Sequence, residues 1–382
     1  MTMPPFLTLA LTLTTASPMR RVGGRSRLTA SLLRSAPPQH ARRLMAALAL
    51  GGLLCALADP VLADPVLADP VLADPTITGP QHAAAALAAP DCPTALAAPT
   101  AEQLQSGLRN ARDRGLLWRL QKDGQEGWLY GTLHVGRLAW AFPGPRITQA
   151  LLKADTVALE IDPTDPALAP TVARAMAALQ AQLSDPVRTA ALGQRLGALA
   201  ERECLAPGLA NQPLLLQALA LTVLSGRRDG LAPALGQEQV LSGFARASRK
   251  SLVSLETIDI QLAALLPQDP AELLPSLQRA VERLESGRAR REVARLAAAW
   301  ADGDLAGIAD YAAWCDCLDS EADRAYMKRI NDQRNPALAD AIAARLGAGQ
   351  RVFAAVGALH MTGPASLPLL MAQRSYSVQR VD

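Results

Sequence analysis

The chain has 382 residues, half of them hydrophobic and 19% charged, which fits a globular protein and excludes a disordered one. Aromatics make up only 3%, so the core must be built from Ala, Leu and Val, which favours packed helices over an aromatic-rich β sandwich. The net charge of +3 belongs to residues 1–63, with seven arginines and one acid; the rest carries 31 basic and 34 acidic residues, no basic patch with interleaved aromatics, and so no signature of a nucleic-acid partner.

Residues 1–63 read as a leader with a signal peptide, and Met19 or Met45 as its true start. Arg42-Arg43 precedes an apolar run, residues 44–57, of signal-peptide length. That run is shorter than the roughly 20 apolar residues a membrane span needs. Val-x-Ala sites end at Ala63, Ala68 and Ala73, which puts the mature start near residue 64, 69 or 74. The mature protein is then periplasmic or secreted, with no stable transmembrane span; an uncut signal anchor is the alternative. Residues 64–112 read as a repeat and linker. Ala-Asp-Pro-Val-Leu recurs with period five over residues 58–75, where the prolines forbid helix and sheet interior. Residues 113–382 form the α/β domain.

In that domain, residues 116–121 and 127–130 alternate around Lys-Asp-Gly-Gln-Glu and predict a β-hairpin. Residues 156–161, 251–255, 351–356 and 376–381 predict further strands. Helical periodicity marks about 166–184, 187–203, 212–225, 236–249, 270–301 and 319–347. Strands separated by helices imply an α/β fold with a mixed, mainly parallel sheet flanked by helices, and residues 166–250 form a helical cap beside it. Cys92, Cys204, Cys315 and Cys317 permit two disulfides in three pairings, and at least one is expected. A Cys-x-Cys metal-ligand pair at Cys315 and Cys317 is the other reading.

Only two of the four histidines lie in the domain, in near-copies of one motif: Gly131-Thr-Leu-His134-Val-Gly136 and Gly357-Ala-Leu-His360-Met-Thr-Gly363. Each follows a strand, and the glycine is expected to let the chain turn sharply there. Both histidines would then project into the cleft at the carboxyl edge of the sheet, where α/β proteins bind ligands. Glu160 closes the strand Ala158-Leu-Glu-Ile-Asp162, where a buried carboxylate needs a partner or a ligand. Two imidazoles and one carboxylate form a divalent-metal set with open positions, for Mn, Co or Zn. The blander readings are histidines bonded to loops and a Glu160–arginine pair. Glu256, also at a strand end, is a further ligand, a general base or a helix-start acid. Arg334 neutralises an anion or pairs with Glu160 or Glu256. Trp118, Trp128 and Trp140 read as core or cleft wall.

At these residues the chain resembles the TraB/GumN family, which includes the Tiki-type metalloproteases, and whose fold is like that of erythromycin-esterase and ChaN-like proteins. The resemblance covers about 115–382. It rests on the first motif, on residues 158–162, on Leu255-Glu-Thr-Ile-Asp-Ile-Gln261, on Arg334-Asn335 and on the second motif. It implies metal-dependent peptidase chemistry on His134, His360 and Glu160. Two departures stand out: Ala358-Leu359 replaces the usual Ala-Gly, and Leu235-Gly-Gln-Glu238-Gln has glutamate where aspartate is expected. The function expected is a divalent-metal-dependent hydrolase of a peptide or small-molecule substrate. The alternative is a non-enzymatic ligand-binding or regulatory protein of the cell envelope using the same cleft.

Overall fold

Asp123 and Gly124 both adopt positive φ, 48° and 79°, as the primed two-residue turns of twisted hairpins demand. They join strand β1 (Leu116–Lys122) to β2 (Gln125–Thr132) in antiparallel register, Lys122 opposite Gln125. The structure, a computed structural model, describes residues 91–93, 96–267 and 269–381. The expected signal peptide, cleavage sites and period-five repeat lie outside the described residues.

The other strands are β3 (Thr156–Leu159), β4 (Ser251–Ser254), β5 (Val352–Gly357) and β6 (Ser377–Arg380). They form one six-stranded sheet in the order β4-β3-β5-β2-β1-β6. The neighbours β4, β3, β5 and β2 are mutually parallel, and β1 runs against both β2 and β6. The fold is thus α/β with a mixed, mainly parallel sheet. Every residue of β3 is buried, and so are the first five of β5, the continuous apolar pattern of central parallel strands.

Helices of more than a turn and a half are α1 (Ala101–Arg109), α2 (Pro145–Lys153), α3 (Leu168–Gln180), α4 (Pro186–Arg202), α5 (Leu214–Leu224), α6 (Gln237–Ala247), α7 (Ile258–Leu265), α8 (Leu273–Glu285), α9 (Arg288–Ala301), α10 (Glu321–Ile330), α11 (Asn335–Gly347) and α12 (Leu367–Gln373). α1 lies in the stretch read as linker. It closes a capping box with Thr100 and Gln103 yet has no buried residue, so apolar periodicity could not mark it.

Two apolar cores form. One covers the sheet and gathers the scarce aromatics: Tyr130 meets Phe353 at 5.6 Å and Trp300 at 6.4 Å between ring centroids. Trp118 and Trp128 are buried in it. The second is a helical cap built from α3, α4, α5, α7 and α8. Its membership corrects the expected cap over residues 166–250. α6 belongs to the sheet core instead, because Leu241, Phe244 and Ala245 form one apolar face against it. α7 and α8, beyond residue 250, complete the cap. Among the described residues no helix is long and apolar enough to cross a membrane.

Two long expected helices are broken. Residues 270–301 divide at Gly287, whose φ of +70° ends one helix and begins the next. Residues 319–347 divide at residues 331–334, where α10 stops at Ile330 and α11 restarts with Asn335-Pro336. The break turns Arg334 and Asn335 off the helix surface toward the sheet. The four cysteines pair as Cys92–Cys204 and Cys315–Cys317, so the latter two form a bridge and not a metal-ligand pair.

Candidate functional site

Parallel register brings the carboxyl ends of β2, β5 and β3 side by side: Thr132 is level with Gly357, and Leu159 with Ala355. Beyond β3 and β4 the ladder continues for a step, with Glu256 N–H donating to the Glu160 carbonyl at 3.2 Å. Four adjacent strands thus each deliver one side chain just past their ends: His134 after β2, His360 after β5, Glu160 after β3 and Glu256 after β4.

Glu160 is buried and fully engaged. Its Oε1 accepts the Gly357 backbone N–H at 2.7 Å, and its Oε2 accepts the Gln261 amide at 3.1 Å and the Arg334 guanidinium. Gly357 has φ −47° and ψ 140°, a conformation open to any residue, and leads straight into the turn at Ala358–Met361. A Cβ there would lie 3.3 Å from Glu160 Oε1 and 3.5 Å from the His360 ring. The chain turns there, as expected, but the glycine is needed for close approach to Glu160 and His360 and not for its φ. Gly131 likewise stays within β2, where Trp300 donates to its carbonyl at 2.7 Å.

Arg334 spans both carboxylates. It donates to Glu160 and, through two nitrogens, to Glu256, while its Nη1 bonds the Ile330 carbonyl at 2.8 Å. Burial works to raise the pKa of Glu160, but Arg334, then His360 and His134, and the Gly357 N–H outweigh it and hold the carboxyl far below the usual carboxylate range. Glu256 moves the other way. Burial raises its pKa, with the charge of Glu160 adding, although Arg334 opposes both. The two neighbouring carboxyls thus have their proton affinities pushed in opposite directions.

The two histidines have opposite surroundings. His360 is 5% exposed, and its Nδ1 meets Asn335 Oδ1 at 2.5 Å. The Asn335 amide nitrogen donates to the Ala365 carbonyl at 2.8 Å, so its oxygen is the acceptor toward the ring. That assigns the proton to Nδ1 and leaves a lone pair on Nε2, 3.4 Å from Arg334 Nη1 and 4.0 Å from Glu160 Oε1. Burial lowers the His360 pKa to about 4, Arg334 adding to that and Glu160 opposing it.

His134 sits in a loop clamped to residues 232–237. Gly136 and Ala232 exchange two backbone hydrogen bonds, and Gln237 N–H donates to the Leu133 carbonyl. A Cβ on Gly136 would lie 2.1 Å from the Leu235 carbonyl oxygen, so this strand-like contact requires glycine. The clamp sets Glu238, in the first turn of α6, beside the imidazole: Oε1 is 3.3 Å from His134 Nδ1 and accepts Thr132 Oγ1 at 2.6 Å. Glu238, then Glu160, raises the His134 pKa to about 9 against the effect of burial. Almost half of the side chain, 46%, meets solvent.

Glu238 was visible in the sequence only as a departure from an expected aspartate; its signal as a partner is an acid just after Gly236, whose closeness to His134 no spacing reveals. Gln261, Thr132 and Asn335 were likewise not singled out. Among the described residues no three His, Cys, Asp or Glu side chains gather closely enough to hold an ion, because His134 turns to Glu238 and Arg334 stands against Glu160 and Glu256.

The TraB/PrgY/gumN family profile matches residues 116–380. The chain belongs to that family. In this TraB/PrgY/gumN member the matched span begins with β1 and ends with β6, so the sheet, the cap and every residue of the site fall within the family region. Comparison with curated proteins and with solved structures returns no match.

Proposed function

We propose that the chain is a divalent-metal-dependent hydrolase of acyl bonds, with peptides as the substrate class, working outside the cytoplasm. The observation that carries this reading is the fixed tautomer of His360. Asn335, itself pinned by the Ala365 carbonyl, leaves Nε2 unprotonated at 4.0 Å from Glu160, whose carboxyl Arg334 holds toward its ionised form. Two ligands of one ion, at about 2.0–2.2 Å each, stand at up to that separation. The donor chemistry therefore fits Mn, Co or Zn. His134, with Nδ1 held by Glu238 in a carboxylate–histidine arrangement, would supply the third donor from its Nε2 on giving up the proton that Glu238 favours there.

When bound, the ion would bring a water's pKa to about 7 and polarise the scissile carbonyl. Glu160, held anionic, would be a ligand. Glu256, whose burial raises its proton affinity, would take the proton from water and return it to the leaving nitrogen. Arg334 then exchanges its hold on the carboxylates for the negative charge growing on the carbonyl oxygen. Two disulfides and the leader support an oxidising compartment.

The test is the metal content of full chain purified without chelators, followed by cleavage of a peptide library with and without EDTA. Glu160→Gln should lose metal, whereas Glu256→Gln should keep metal and lose turnover. Metal-free protein with no metal-stimulated cleavage would end the reading. A second reading, a non-enzymatic envelope ligand-binding or regulatory protein, is favoured by one observation: Arg334 balances both buried carboxylates without any added cation. It expects a bound peptide or small molecule without turnover in the same assay.

A further inference from the structure

The two disulfides differ in what they close. Cys92–Cys204 spans 112 residues and ties the segment before α1 to the cap; Cys315–Cys317 spans 2. Loop-closure entropy grows with loop length, so the first bridge stabilises the fold far more than the second. Asp316, between its two cysteines, takes φ +51°, a left-handed conformation that aspartate tolerates, and Cys204 of the long bridge takes one too, at +56°. A bridge that closes so short a loop adds little to stability, which leaves room for another role.

Its two cysteines differ in access. Cys315 is buried at 3% exposure, while Cys317 is half-buried and Asp316 exposed, so an attacking thiolate reaches Cys317 first. The Tyr311 hydroxyl oxygen lies 3.6 Å from Cys317 Sγ. Arg288 lies against this turn, with Nη1 3.8 Å from the Asp316 carboxylate and 3.0 Å from that of Asp319. Both groups are engaged by carboxylates, Tyr311 by Glu292 and Arg288 by Asp316 and Asp319, so it is the access to Cys317 that marks the bridge.

We propose that Cys315–Cys317 is a thiol–disulfide exchange site that takes two electrons from an external dithiol. One thiolate of the dithiol attacks Cys317 Sγ, forming a mixed disulfide. The Cys315–Cys317 bond breaks, and its electron pair leaves on Cys315, which takes up a proton. The second thiol of the dithiol, on losing its proton, displaces Cys317, which leaves as thiolate and is protonated in turn. The dithiol ends as its own disulfide, and two electrons and two protons have passed to the chain. Cys92–Cys204 stays closed.

The experiment uses the oxidised full chain in buffers of graded reduced-to-oxidised dithiothreitol ratio. Differential alkylation and peptide mass mapping count each pair, with circular dichroism as a check on folding. Cys315–Cys317 should be half-reduced at a ratio at least about tenfold below that of Cys92–Cys204, with the spectrum unchanged. Glutathione, a monothiol, should leave its adduct on Cys317 and an alkylatable thiol on Cys315. Both pairs opening together as the protein unfolds, Cys92–Cys204 opening first, or adducts confined to Cys92 and Cys204 would each overturn the assignment.

Discussion

His134 and His360 occupy the same place in the same short motif, each just past the end of a parallel strand, and they have become different chemical groups. His360 is walled in, neutral and fixed by Asn335. His134 is half open to water and held by the carboxylate of Glu238, which favours its protonated form. What separates them is the partner each receives from elsewhere in the chain. One gets an amide from the start of α11, and the other an acid from the start of α6. A motif fixes where an imidazole stands; its neighbours fix what charge it carries.

The strongest way to break the His360 half is through Arg334. Replacing it with methionine leaves Glu160 and Glu256 buried side by side without their cation. The expected loss is about 3–5 kcal/mol at neutral pH, the cost of an uncompensated buried charge. Urea unfolding checks it, and adding Glu256→Gln to Arg334→Met should restore a large part. No loss from Arg334→Met would mean that solvent already balances the carboxylates.

The next effect is acid sensitivity. The folded pKa of His360 is about 4, below the ordinary 6.5 of an unfolded chain. Between those values the unfolded chain binds a proton that the folded chain refuses, so stability falls as the pH drops through this window. At about 1.4 kcal/mol per pH unit for a full proton, the loss reaches roughly 2–3 kcal/mol by pH 4. His360→Gln should flatten that part of the profile. Smaller again is Asn335→Ala, which removes the acceptor for Nδ1–H and costs about 1–2 kcal/mol. Its sharper signature is in nitrogen NMR of the His360 ring, where a single tautomer should give way to a mixture.

The sheet was largely legible. Buried apolar runs of four to six residues marked the central strands, and Asp-Gly marked the hairpin, because each of those signals is local. The site was legible only as far as it follows from strand ends. His134, His360, Glu160 and Glu256 could each be placed there by the sequence next to them. Arg334 stood out and Asn335 did not, and the helical period ran straight through both; the break at residues 331–334 that aims them inward has no strong punctuation before Pro336. Glu238 was further from reach still. It meets His134 through a backbone clamp between residues 133–136 and 232–237, a contact about a hundred residues apart in the chain. The cap was misdrawn for a related reason: periodicity shows that a helix has an apolar face, and it does not say which core that face joins.

The smallest effect tests the other half of the comparison, and its sign is reversed. The folded pKa of His134 is about 9, above its ordinary value. Between pH 6.5 and 9 the folded chain holds a proton that the unfolded chain has released. The stability this contributes is fully present below pH 6.5 and is lost as the pH rises through the folded value. Because 46% of the side chain lies in solvent, screening reduces the contribution to less than about 1 kcal/mol. Glu238→Gln keeps the shape and the Thr132 contact but removes the charge that holds the proton. In the variant, NMR titration in metal-free buffer should find the His134 pKa back near 6.5, with that of His360 scarcely moved. The alkaline slope in unfolding free energy should vanish while the acid slope of His360 remains. If Glu238→Gln moved both histidines equally, the two motifs would share one electrostatic environment, and the difference between them would not come from their separate partners.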